Sequence, residues 1–81
     1  MTDGWFSKPV SVAVGFIGDI HIIENAHDAM KLLTDNWREQ KSAGYKAAKI
    51  ACRGAMSGEV PADVARQAFV EAAAEAKILV S

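Results

Sequence analysis

The sequence predicts an α+β fold, in which a two-stranded antiparallel β-hairpin is followed by three α-helices. Three observations favour it: an early alternation of β-branched residues, a pair of glycines that separates two such runs, and alanine-rich helical repeats in the second half. A chain of 81 residues fits one domain. The predicted bounds are about 9–23 for the hairpin and about 26–37, 43–57 and 61–77 for the helices.

The hairpin is predicted from its side-chain pattern. Val10, Val12 and Val14 share one face of the first strand, because they alternate with smaller residues. Residues 15–18 begin and end with glycine and are predicted to form the turn, after which residues 19–23 return as the second strand.

The register of the predicted hairpin assigns its two faces. Ile20 and Ile22 are placed beside the valines, on the face that the helices cover, whereas Asp19 and His21 are placed on the outer face. A two-stranded sheet has two open edges, so we also predict self-association through the hairpin.

Capping residues predict where the helices begin and end. Asn25 is a favourable N-cap with Asp28 in the following turn, and Gly58 suits the position after the second helix. Pro61 and Asp63 suit the first turn of the third helix. The apolar faces of all elements together predict a core of Val10, Val12, Ile20, Ile22, Leu32, Leu33, Trp37, Ala48, Cys52, Ala68, Phe69 and Ala72.

Several motifs occur in a recognisable order: Lys8-Pro9-Val10, Ala29-x-x-Leu32-Leu33 leading to Trp37, Ala48-x-x-x-Cys52, Gly58, Ala65-Arg66-x-Ala68-Phe69 and Ala73-x-x-Ala76. This order resembles a small bacterial domain-of-unknown-function family, the one numbered 982, over most of the chain. The chain departs from the family pattern at Arg38, where the family has proline, and at Lys77, where it has glycine. The resemblance implies the same fold and carries no activity, substrate or catalytic residue.

Composition excludes several classes of protein. The formal net charge is -1, so nothing global favours nucleic acid or anionic membranes as partners. The single cysteine, Cys52, excludes an internal disulfide scaffold. The sequence has no secretory signal pattern and no long apolar run, so we expect no membrane span and a cytoplasmic location.

Lys46, Lys49 and Arg53 form the basic stripe, a line of cations on one face of the second helix. Such a stripe is a candidate binding site for phosphates of nucleic acid or of a small ligand. The plainer interpretation, which we favour, is a solvated face that pairs with Glu71 and Glu75 of the neighbouring helix.

Catalytic and metal chemistry find little support in the sequence. Histidine and aspartate are residue types that bind metals, and they occur here at His21, His27, Asp19 and Asp28. These residues are spread over a strand, a connection and the start of a helix, a spacing that does not suit a metal site. We therefore predict no metal and no cofactor. Cys52 lies among alanines and is predicted to be a small buried apolar residue. With no catalytic motif present, we predict that the chain is not an enzyme.

Two hypotheses for function follow. The first is a small non-catalytic interaction or regulatory module that self-associates as a homodimer, with an unidentified protein as a further partner. The alternative is a nucleic-acid- or phosphate-binding module that uses the basic stripe.

Overall fold

Two antiparallel strands and three helices succeed one another along the chain, which confirms the predicted α+β class. A computed structural model of the chain describes residues 5–14, 19–35, 37 and 42–80. The predicted turn over residues 15–18 lies outside the described residues. The elements are β1 (Trp5–Val14), β2 (Asp19–Asn25), α1 (Ala26–Asp35), α2 (Ala43–Met56) and α3 (Ala62–Glu75).

The register of the hairpin differs by one residue from the predicted one. Val12 pairs with His21, and Val10 pairs with Ile23. Directly opposed residues share a face, so Ile23 faces the helices and is 5% exposed. Ile20 and Ile22 lie on the outer face and are 56% and 58% exposed, so their predicted place in the core is wrong.

The end of the chain closes one edge of the hairpin. Residues 78–80 lie antiparallel to β1: the Ala13 N–H donates to the Ile78 carbonyl at 2.8 Å, and the Val80 N–H donates to the Ser11 carbonyl at 2.9 Å. The prediction of two open edges is therefore wrong for β1. Among the described residues, β2 pairs with β1 alone, so its other edge is open.

Local sequence accounts for the start of α1 and the end of α2. The Asn25 Oδ1 accepts a hydrogen bond from the Asp28 N–H at 2.8 Å, which confirms the predicted N-cap of α1. After α2, the Glu59 N–H donates to the Gly54 carbonyl at 2.8 Å and the Gly58 N–H donates to the Ala55 carbonyl at 3.2 Å. This is a Schellman motif, and Gly58 supplies its left-handed residue with a φ of 84°.

The same motif ends α3, but without glycine. The Ile78 N–H donates to the Ala73 carbonyl at 3.0 Å and the Lys77 N–H donates to the Ala74 carbonyl at 3.1 Å. Lys77 has a φ of 61°, which is the left-handed region that favours glycine. The backbone geometry at this position therefore favours glycine over lysine.

Lys77→Gly is therefore expected to stabilise the fold. Removing the side chain from a left-handed position should raise the free energy of unfolding by about 1 kcal/mol. Chemical denaturation of the two proteins measures the difference, and Lys46→Gly, within α2, serves as a control that should lose about the same amount. A loss of stability in Lys77→Gly would contradict this account of the helix end.

Aromatic rings hold the helices together. Phe69 is fully buried on α3, and its ring centroid lies 5.5 Å from that of Trp37, which in turn lies 6.4 Å from that of Tyr45 on α2. The Tyr45 hydroxyl donates to the Leu33 carbonyl of α1 at 3.0 Å. Ala68 is only partly buried, whereas the remaining predicted core residues are buried: Val10, Val12, Leu32, Leu33, Trp37, Ala48, Cys52, Phe69 and Ala72.

Candidate interaction surface

The outer face of the hairpin carries exposed apolar side chains. Ile20 and Ile22 are more than half exposed there, and Val80, which is 53% exposed, lies beside Ser11 on the far side of β1. No described helix covers this face, because α1 and α3 pack against the opposite one. An apolar sheet face of this kind is typical of a protein–protein contact surface.

The bonding pattern shows which backbone groups of β2 are free to pair. In an antiparallel sheet, the N–H and C=O of one residue point to the same side and those of the next residue to the other side. Ser11 and Ala13 bond to residues 78–80, so Val12 points its backbone groups at β2 and bonds to His21. It follows that the N–H and C=O groups of Ile20 and Ile22 point outward, at the open edge.

A pocket of about 300 Å³ lies beside this edge. Its lining comes from β2 and α1 and includes no described residue of β1, which places it on the open side of β2. Carboxylates and one ammonium group line it together with apolar side chains: His21, Ile22, Ile23, Asp28, Lys31, Leu32 and Asp35. The open edge of β2, the outer face with Ile20 and Ile22, and this pocket are together called the β2 surface below.

The basic stripe lies on α2, away from the β2 surface. Lys46 and Arg53 are exposed, and the Lys49 Nζ lies 5.5 Å from the centroid of the Tyr45 ring. Ile50, which is 72% exposed, lies beside these cations. The stripe is therefore flanked on one side by an exposed apolar side chain.

The predicted pairing of the stripe with α3 is not observed. The Glu71 carboxylate accepts a hydrogen bond from Gln67 at 3.0 Å, and the Glu75 carboxylate lies over Gly44, where a Cβ would collide with it. In the part of the chain that the structure describes, the His27 Nδ1 lies 3.8 Å from the Asp28 Oδ1, a contact that is an ion pair only when the imidazole is protonated. None of the three cations of the stripe has a described acidic partner.

The other candidate site residues lie apart from one another. His21 projects from the inner face of β2, and His27 is exposed at the start of α1. Within the described ranges, no group of three or more His, Cys, Asp or Glu side chains is arranged to hold a metal ion. Cys52 is fully buried, and burial raises the pKa of its thiol to about 12, so the thiol is not primed for nucleophilic chemistry.

Comparison with known proteins identifies the family. A family model described as "Protein of unknown function (DUF982)" matches residues 8–80. The chain belongs to this family. The match confirms the resemblance that the sequence motifs predicted, and DUF982 carries no described activity.

One solved structure has the same fold as this DUF982 member. The NMR structure of the Agrobacterium tumefaciens protein Atu1219 superposes with a TM-score of 0.78 and is 28% identical in sequence. The alignment covers 99% of this chain and 79% of that chain. Comparison with curated protein sequences gives no match. These comparisons indicate no specific activity.

The helices bear on the predicted absence of a membrane span. Among the described residues, none of the helices is long and apolar enough to cross a bilayer.

Proposed function

We propose that the chain is a non-catalytic interaction module that self-associates through the β2 surface. The observation that supports this most directly is the open edge of β2, whose outward N–H and C=O groups belong to the two exposed residues Ile20 and Ile22. An edge with both unpaired backbone groups and apolar side chains is a template for pairing with another strand. The cytoplasmic location expected from the sequence stays a prediction.

A second copy of the chain is the partner that suits this edge. Antiparallel pairing of β2 with its own copy is self-complementary and closes after two subunits, which is the simplest arrangement for a homodimer. The two hairpins would then form one continuous sheet, with the exposed isoleucines of both copies side by side. An extended segment of an unrelated protein is the rival occupant of the same edge.

Sedimentation across a concentration series tests the proposal. We expect the mass to rise from 8.7 kDa toward twice that value as the concentration increases into the millimolar range. Ile22→Pro should prevent the increase, since proline removes an N–H that points at the open edge while the bonds to β1 stay intact. Ile22→Val keeps the N–H and serves as the matched control. A constant 8.7 kDa mass, or a dimer that survives Ile22→Pro, would refute the proposal.

The basic stripe supports a second candidate, a phosphate- or nucleic-acid-binding module. In its favour, Lys46, Lys49 and Arg53 have no acidic partner among the described residues. Against it, the stripe holds three charges and the chain is not basic overall, so binding would be weak and lost at moderate salt. Titration with duplex DNA at low salt tests it: binding should weaken in Lys46→Glu if the stripe is the site and stay unchanged in Ile22→Pro.

A further inference from the structure

We infer that the second copy pairs with β2 in one register, with the twofold axis at His21 and with Lys31 beside Asp19 of the partner subunit. This inference rests on the proposed self-association and goes beyond it, because it assigns the pairs that hold the two copies together. Three properties determine the register: the direction of the backbone groups of β2, the identity of the side chains on its outer face, and the charges that line the pocket between β2 and α1.

The backbone directions reduce the choice to a few registers. A twofold axis perpendicular to the sheet keeps the outer faces of the two copies on the same side. A residue whose backbone N–H and C=O point at the open edge must then oppose a residue of the other copy whose backbone groups do the same. One register is centred on His21 and opposes Ile20 to Ile22 of the partner subunit. The neighbouring register is centred on Ile22, opposes that residue to its own copy and opposes Ile20 to Glu24 of the partner subunit.

The side chains of the outer face favour the register centred on His21. In that register, Ile20 and Ile22 of each copy oppose an isoleucine of the other copy, so all four half-exposed side chains are covered in two apolar cross-strand pairs. In the register centred on Ile22, each Ile20 opposes a glutamate. Apolar pairs stabilise a sheet, whereas an isoleucine beside a carboxylate gains little.

The pocket favours the same register on the inner face. Asp19 lies on that face, because it pairs with Val14 within the hairpin. With the axis at His21, Asp19 of the partner subunit opposes Ile23, which lines the pocket together with Lys31. Helix α1 begins directly after β2 and packs back along it, and Lys31 lies in the second turn of α1. Lys31 thus offers an ammonium group to this carboxylate once at each end of the paired strands, and Asp28 and Asp35, which line the same pocket, reduce the gain.

Disulfide trapping tests the register directly. With the axis at His21, the two copies of that residue form a non-hydrogen-bonded pair with Cα atoms about 4.5 Å apart, within the range of a disulfide. The two copies of Ile22 are offset along the strands and lie about 8 Å apart, beyond that range. In oxidised glutathione, His21→Cys should therefore form the covalent dimer at least about tenfold faster than the matched variant Ile22→Cys. The native Cys52 is buried in both variants.

Charge reversal tests the proposed ion pair. Lys31→Glu and Asp19→Lys should each weaken dimerisation about tenfold, and the double variant should restore it. If the unmodified chain is a dimer but Ile22→Cys cross-links faster, or the double variant fails to restore dimerisation, the register is overturned while the proposed function stands. If the unmodified chain is a monomer at every concentration, the proposed function itself fails.

Discussion

Phe69→Ala is expected to lower the free energy of unfolding by about 3–5 kcal/mol, which is a large part of the stability of a domain this small. The Phe69 side chain is fully buried and contacts Trp37 through its ring. Most other buried residues of α2 and α3 are alanines, which have few atoms with which to fill the space that a missing ring leaves. The cavity would therefore persist, and its cost adds to the lost burial.

Thermal and urea denaturation measure the effect of Phe69→Ala. Val64→Ala provides a control on the same helix, since Val64 is 52% exposed and its truncation should change stability by less than about 0.5 kcal/mol. A Phe69→Ala protein that melts within a few degrees of the unmodified chain would show that the ring is not central to the core.

The second large effect on stability is expected within β2, where truncation of Ile23 and of its neighbour Ile22 should have different consequences. Ile23→Ala should lower the free energy of unfolding by about 2–4 kcal/mol, because Ile23 is 5% exposed and packs under α1. Ile22→Ala should leave the stability of the monomer nearly unchanged, because that side chain is 58% exposed. The same Ile22→Ala change should weaken self-association.

Denaturation below the concentration at which dimers form, followed by sedimentation above it, separates the two effects. The residue pair serves as its own matched control, since both changes remove the same atoms from adjacent positions of one strand. A larger loss of stability in Ile22→Ala than in Ile23→Ala would contradict the observed register and would favour the one predicted from the sequence.

The helices and their ends were largely predictable from the sequence. Asn25 caps α1 and Gly58 ends α2 as predicted, because both residue types act through local hydrogen bonds and backbone angles. The bounds of the helices differ by up to two residues from the predicted ones, and Trp37 lies beyond the end of α1 rather than within it. Its burial was still predicted, since it continues the apolar side of that helix.

The register of the hairpin was not predictable from the pattern. In β2, isoleucines occupy both sides of the strand, Ile20 and Ile22 on one and Ile23 on the other, so alternation alone does not determine which side is buried. The predicted register buries the pair of isoleucines, whereas the structure buries the single one beneath α1. Because of this one-residue difference, Ile20 and Ile22 lie on the exposed outer face and not in the core. That outer face is part of the surface through which we propose that the chain self-associates.

The sequence contains a signal for the segment that covers the edge of β1. Residues 78–80 are Ile-Leu-Val, a short aliphatic run with two β-branched residues directly after the helix, which is typical of a strand. The predicted α3 extends to residue 77, and no strand was predicted for the three residues that follow it. The Schellman motif at Lys77 turns the chain earlier and aligns these residues with β1.

Amide hydrogen exchange across a concentration series tests self-association through β2 most directly. The N–H groups of His21 and Ile23 point at β1 and should be protected at every concentration. Those of Ile20 and Ile22 point at the open edge, so they should exchange rapidly in dilute protein and become protected, together, as the concentration rises. Rapid exchange of these two amides at all concentrations, including the millimolar range, would contradict the account.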